Sequence, residues 1–257
     1  MNAFNLAMIQ MRVDGGAKSG NLARATSRIA EATRSGAEVV LLPEALNLGW
    51  THPSALQQAD AIPGGESISR LADAARENGV YVCAGLVERD GNKIFNSAIL
   101  LAPDGRLLLH HRKINELDIG RQFYSLGDRS AVAETPLCRF GVMICADAFA
   151  EGQVLSRSLA LMGAEIILSP CAWAVPADHD NVRDPYGQLW RDNYGPVARQ
   201  HRLWIAGASN VGPILAGPWE GRKCIGCSLL VGPDGQDILQ GPYGEEAETI
   251  LTARIGK

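Results

Sequence analysis

The 257-residue chain has no apolar run approaching the roughly 20 residues that a membrane-spanning helix needs. No membrane association is therefore expected. It has no surplus of positive charge either: 24 Lys plus Arg stand against 28 Asp plus Glu, for a net charge of -4. A general nucleic-acid binder usually carries a strongly basic face, so no nucleic-acid partner is expected. The start, Met1 to Met11, places no Lys or Arg ahead of its apolar residues, and Asn5 and Gln10 interrupt it. That is not the pattern of a secretory leader. No linker or low-complexity stretch divides the chain, which reads as a single domain over residues 1–257. The six cysteines, Cys83, Cys138, Cys145, Cys171, Cys224 and Cys227, do not imply a disulfide framework, because a chain this long can bury its own core. Reduced thiols and a cytoplasmic location are expected.

What the sequence does contain is an alternation of strand-like and helix-like segments. Phe4 to Gln10 reads as a strand. Asn21 to Gly36 reads as an amphipathic helix with Leu22, Ala25, Ile29 and Ala32 on one face, and Gly36 suits its C-terminus. Ala37 to Pro43 is a buried strand closed by proline, Ile68 to Asn78 a second helix before Gly79, and Val80 to Val87 and Ile94 to Ala102 a strand pair. A further strand runs from Arg106 to His110. The second half repeats this grammar: a strand at Phe140 to Cys145, a helix at Val154 to Met162, a strand at Glu165 to Pro170, and a helix at Leu189 to Arg202 whose start is restricted by Pro196. Strands at Leu203 to Asn210 and Cys227 to Val231 complete it. Ala98 to Gly105 resembles Ser228 to Gly235, down to the shared Pro-Asp-Gly turn, and each follows a strand carrying an Ala-Gly pair, Ala84-Gly85 or Ala206-Gly207. Two similar halves predict two sheets packed face to face, with helices over the outer faces.

Three segments place a reactive group where a buried strand ends, a common location for chemistry. In Leu41-Leu42-Pro43-Glu44, a carboxylate directly after an apolar strand is either a desolvated base suited to neutral pH or a solvated loop residue. In His110-His111-Arg112-Lys113, after three leucines, the basic cluster reads as a phosphate binder, a solvated face, or a source of one fixed cation, Lys113, for a developing oxyanion. In Gly141-Val142-Met143-Ile144-Cys145-Ala146-Asp147, the turn after the strand either activates the Cys145 thiol through its backbone N–H groups or holds a structural buried cysteine.

Together these segments resemble the nitrilase superfamily of carbon–nitrogen hydrolases. The quoted motifs follow the family order of Glu, Lys and Cys, and the likeness runs from Leu6 to about Thr249. Asn96-Ser97-Ala98, Ala208 to Gly212 and Gly226-Cys227-Ser228 support it. The resemblance implies an αββα four-layer sandwich of two mixed sheets. It implies an amidase-like enzyme in which Cys145, Glu44 and Lys113 are catalytic. Cys145 would attack a carbonyl carbon and form a thioester. Glu44 would move the protons, and Lys113 with the N–H of Ala146 would hold the oxyanion. No metal and no cofactor would be needed. A homodimer or higher homo-oligomer is implied as well.

One departure from the family pattern concerns a second glutamate. It is usual shortly before a Pro-Gly-Asp-like turn, which here is Ser125-Leu126-Gly127-Asp128, and the corresponding position is Gly120. Glu116 is the nearest glutamate able to take an auxiliary or substrate-positioning role, with Asp118 an alternative acid; a capping or salt-bridging role for Glu116 stays open. Ala146-Asp147-Ala148-Phe149 lacks both the arginine that relatives acting on carbamoyl amino acids or ω-amides place near here and the Cys-Trp-Glu of nitrile hydrolysers. The expected substrate is therefore a small carboxamide, converted to acid and ammonia. N-carbamoyl amino acid hydrolysis or nitrilase activity with the same residues are the alternatives, and a non-catalytic scaffold is the alternative of another class. Trp173 is a candidate substrate-positioning residue, and His179, Arg183, Tyr186 and Trp190 could line a pocket with it or belong to core or interface. Phe149, Trp204 and Trp219 stand equally as interface or core aromatics. A cysteine–histidine pair, a zinc site at Cys224-x-x-Cys227 and a phosphate loop at Gly212 to Gly217 each lack the partners they would require.

Overall fold

The computed structural model describes residues 1–256. Its first half builds one six-stranded sheet. Strands β1 (Phe4–Gln10), β2 (Val39–Leu41) and β3 (Tyr81–Asp90) run parallel, and β4 (Lys93–Leu101) and β5 (Leu107–Arg112) follow antiparallel. Helix α1 (Lys18–Arg34) crosses from β1 to β2. The single turn α2 (Ala55–Gln58) and helix α3 (Glu66–Asn78) lie between β2 and β3.

The second half repeats the topology. After β6 (Val132–Glu134), strands β7 (Arg139–Val142), β8 (Ile166–Cys171) and β10 (Trp204–Ser209) are parallel, while β13 (Leu229–Val231) and β14 (Asp237–Gln240) add antiparallel. Helices α4 (Val154–Leu161) and α5 (Gln188–His201) make its crossovers. Short strands β9 (Ala174–Val175), β11 (Val211–Pro213) and β12 (Lys223–Ile225) form a small third sheet. The last strand, β15 (Thr249–Ile255), returns to the first sheet and pairs antiparallel with β1, from Phe4 opposite Ile255 to Gln10 opposite Thr249. The orders are β15-β1-β2-β3-β4-β5 and β14-β13-β10-β8-β7-β6. The echo between Ala98–Gly105 and Ser228–Gly235 is thus the same strand and turn in each half, β4 and β13.

Period-two alternation assigns each strand residue to a layer. Phe4, Leu6 and Met8 of β1 and Val39 and Leu41 of β2 meet Phe140, Val142, Ile166 and Leu168 between the sheets. Their neighbours Ala7, Ile9, Val40 and Leu42 face outward, onto Leu22, Ala25, Ile29 and Ala32 of α1 and Leu71 and Ala75 of α3. On the other side Ile167, Ile205 and Leu229 pack against Leu159 of α4 and Val197 and Ala198 of α5. The result is the four-layer αββα sandwich. Full burial of each Leu, Ile or Val contributes about 1.5–3 kcal/mol, so the two helix–sheet layers and the central layer each stabilise the fold.

Several boundaries differ from the sequence reading. The strand expected at Phe140 to Cys145 ends at Val142, and Cys145 opens a 3-10 turn through Phe149. The strand after the Pro103-Asp104-Gly105 turn runs on to Arg112. Strands β6, β9, β11, β12, β14 and β15 carry no strong apolar run and were not anticipated. Pro196 lies inside α5 rather than limiting its start. Among the described residues, no helix is long and apolar enough to cross a membrane.

Candidate active site

Three strand ends converge. Glu44 follows β2 by way of Leu42-Pro43, and its backbone N–H donates to the Cys171 carbonyl at the end of β8, 3.1 Å away. Gly85 on β3 makes this position possible: a Cβ there would lie 2.5 Å from the Glu44 Cα. Lys113 directly follows β5, with its N–H on the Asn96 carbonyl at 2.8 Å and its own carbonyl accepting from Gly127 N at 2.8 Å. Cys145 stands three residues past β7. Its φ of +43° is a costly conformation for a side-chain-bearing residue, and its N–H donates to Ser169 Oγ at 3.2 Å.

The charged groups form a compact buried cluster. Lys113 Nζ lies 2.8 Å from Glu44 Oε1 and 3.1 Å from Glu116 Oε1. Asn96 Nδ2 donates to the same two carboxylates, at 2.7 Å and 3.0 Å. Glu44, Lys113 and Glu116 are each no more than 3% exposed. Burial alone would lower the Lys113 pKa, but Glu44 and Glu116 outweigh it and hold the ammonium well above its usual value. Burial, together with repulsion from Glu44, raises the Glu116 carboxyl against the pull of Lys113 and Asn96.

Gly120 explains how Glu116 fits. A Cβ at position 120 would lie 2.7 Å from the Glu116 carboxyl carbon and from Oε1. The Glu116 carboxyl thus occupies space that a side chain at position 120 would need. The exposed Asp118, 99% accessible, is not part of the cluster.

Asp147 was read only as part of the cysteine motif, and the structure gives it a wider role. Fully buried, it accepts from Ile144 N (2.9 Å) and His111 Nε2 (2.8 Å) through one oxygen, and from Ile114 N (3.1 Å) and Asn115 N (2.7 Å) through the other. It therefore ties the turn bearing Cys145 to the loop bearing Lys113. Asn115 adds a bond from Nδ2 to the Ala146 carbonyl at 2.6 Å. Burial would raise the Asp147 pKa, but His111 and the backbone donors lower it overall. The run of basic residues is thereby divided: His110 and Arg112 bind the buried Glu88, His111 binds Asp147, and Lys113 enters the cluster. Burial, with neighbouring Cys171 and the charge of Glu44, pushes the Cys145 thiol well up against the opposing pull of Lys113.

A cavity of about 240 Å3 adjoins these groups and is lined by Glu44, Lys113, Cys145 and Ala146 together with a set of aromatic residues. Trp173, Tyr186 and Trp190 are among them, as the sequence suggested. His179 and Arg183 are not: His179 packs on Tyr243, and Arg183 is exposed beside Asp180. Phe149 and Trp219 line the cavity, while Trp204 packs against the layer between the sheets. Trp50 and Leu117 line it too; their local sequence, in loops without periodicity, carried no signal.

A buried carboxylate, a buried ammonium and a partly exposed thiol meet at one cavity in an αββα sandwich, an arrangement suited to hydrolysis. The pattern described as carbon–nitrogen hydrolase matches residues 5–256, and the chain belongs to that family, the nitrilase superfamily, in its amidase-like part. It is 38% identical to the omega-amidase NIT2 of Xenopus tropicalis, over 99% of this chain and 89% of that protein. It is 32% identical to a nitrilase of Pyrococcus abyssi, over 88% of this chain and 80% of that one. In fold it is similar to an amidase from Nesterenkonia sp., with a TM-score of 0.82 at 22% identity over 98% of this chain and 90% of that chain. Nit3 of Saccharomyces cerevisiae also gives a TM-score of 0.82, at 23% identity over 99% and 90%.

Proposed function

We propose that this enzyme hydrolyses a small carboxamide to the acid and ammonia through a thioester on Cys145. The observation that carries the reading is the convergence of Lys113 with Glu44 and Glu116 inside 3.1 Å, at a cavity that Cys145 also lines. The raised thiol is neutral at rest, so attack requires a base. Glu44 takes the Sγ proton as sulfur bonds to the carbonyl carbon. Lys113, held protonated by its two carboxylates, serves as a cation rather than a base and stabilises the oxyanion together with the Ala146 N–H. When the tetrahedral intermediate collapses, the C–N bond breaks and Glu44 returns the proton to the departing nitrogen, releasing ammonia. Glu44 then deprotonates water, which attacks the thioester; the acid leaves and the thiol is restored. Glu116 is the auxiliary group that fixes Lys113 from its far side, and Trp173 belongs to the wall that positions the substrate.

The names of the omega-amidase relatives support an amide over a nitrile. The reading is tested by ammonia release and intact mass on the wild type and on Cys145→Ala. Turnover lost in the variant, with an acyl adduct trapped on wild-type Cys145, is the expected result. Turnover retained by Cys145→Ala would sink it. A homo-oligomer is consistent with the apolar exposure of Val154, Leu161 and Met162 on and beside α4 and is checked by light scattering. The six unpaired thiols fit a reducing, cytoplasmic setting, which cell fractionation tests.

A further inference from the structure

Among the described residues, only two charged ones line the cavity beside Cys145, Glu44 and Lys113. The Lys113 ammonium is already engaged by two carboxylates, at 2.8 Å and 3.1 Å. A substrate carboxylate entering here would lose water, find no unengaged cation in the lining, and approach Glu44. The remaining wall is mostly carbon and carries no further charge. Trp173 stacks on Trp190 with centroids 4.5 Å apart and planes at 20°, and Phe149 lies 5.7 Å from Trp190. The Trp190 indole N–H is spent on Tyr186 Oη at 3.0 Å, while the buried indole N–H groups of Trp50 and Trp173 have no partner and are neutral donors only. Trp50 and Trp219, 4.7 Å apart, also line the cavity. An engineered apolar cavity of about 150 Å3 holds a benzene molecule. The space of about 240 Å3 accommodates such a group with a carboxamide attached.

Resting on the amide-hydrolase reading, we propose that the enzyme selects uncharged carboxamides with a compact apolar acyl group, up to about one aromatic ring, and rejects amides whose acyl group ends in a second, ionised carboxylate. The cause is twofold. Aromatic faces reward apolar area, whereas a desolvated anion without a cationic partner is strongly disfavoured.

The test compares kcat/KM of the wild-type enzyme, by ammonia release, for three amides. These are phenylacetamide, the monoamide of glutaric acid, and 4-nitrobutanamide, which replaces that monoamide's carboxylate by an uncharged nitro group of the same shape. The expected result is turnover of phenylacetamide and 4-nitrobutanamide, with the charged monoamide slower than its neutral isostere by roughly 100-fold or more. Equal or faster turnover of the charged monoamide would overturn the selection and leave amide hydrolysis at Cys145 standing. Turnover of neither neutral amide would also overturn it. Release from no amide at all would remove the amide-hydrolase reading with it.

Discussion

Replacing Gly120 by alanine should damage catalysis by a calculable route. The new Cβ would lie 2.7 Å from the Glu116 carboxyl carbon and 2.8 Å from its Cγ, where carbon atoms prefer about 3.5–4.0 Å. The carboxyl must therefore retreat by roughly 1 Å. It now accepts from Lys113 at 3.1 Å and Asn96 at 3.0 Å, both near the outer limit of about 3.2 Å for good geometry, so the retreat breaks at least one bond and frees Lys113 on that side. A misplacement of this size near reacting groups costs on the order of 10–100-fold in kcat, while the overpacking costs about 1–3 kcal/mol of stability. Steady-state kinetics and thermal unfolding separate the two. The expected pattern is a large fall in kcat, little change in KM, and a modest drop in melting temperature. Adding Glu116→Asp to Gly120→Ala shortens the side chain by one methylene and should recover part of the lost kcat. Wild-type kcat in Gly120→Ala, within about twofold, would refute the idea that the space left free at position 120 seats Glu116.

Three other outcomes follow from the same geometry. Asp147→Asn cannot satisfy four donors with one oxygen and should cost about 3–5 kcal/mol, a fall in melting temperature of roughly 10 °C; an unchanged melting curve would show that the two loops are not held through this residue. Glu88 accepts from His110, Arg112 and Ser97 and has its pKa lowered from 4.5 to about 2 despite burial. As pH falls, the unfolded chain takes up this proton first, so its stabilising effect is present above about pH 4.5 and is lost progressively toward pH 2. Urea unfolding across that range should show a stability slope that Glu88→Gln reduces, and identical slopes would count against the assignment. In Glu44→Gln, iodoacetamide should label Cys145 slowly at neutral pH and faster only in alkali, read by peptide mass mapping, because burial raises the thiol; fast labelling at pH 7 would place a standing thiolate there.

The central elements were legible because their burial imposes period. The α1 face of Leu22, Ala25, Ile29 and Ala32 is wholly buried, and the apolar runs at 37–43 and 165–170 became β2 and β8. The halves could be matched because β4 and β13 occupy equivalent places and share a turn. β14 was hidden because its residues are largely exposed, and β15 because its side chains alternate irregularly and its partner is β1, at the other end of the chain. Within the site, Glu44, Lys113 and Cys145 stood out as reactive groups at strand ends. Asp147 and His111 did not. A side chain that joins two loops makes no local pattern, and the pairing at 36 residues' separation exists only after both sheets have packed.

That dependence on sheet packing sets where the site is most vulnerable. Lys113 comes from the first sheet and Cys145 from the second. Glu44 comes from the first but donates its backbone N–H to Cys171 in the second. The equivalent strands β2 and β8, with Pro43 just past the first and Pro170 near the end of the second, therefore lean on one another. The reacting groups share no element, and their spacing is set by the register of the two sheets. Phe140, with no accessible surface, packs against Phe4 and Tyr81 across that layer, each at 5.8 Å between centroids. Truncating it to leucine removes part of the spacer between sheets without touching a reacting group. Interiors this dense transmit such a change rather than absorb it, so activity should fall before the fold is lost. Measured across a denaturant series, kcat should decline at lower urea than the unfolding transition in Phe140→Leu, and coincident transitions would show that the sheets' spacing does not control the site.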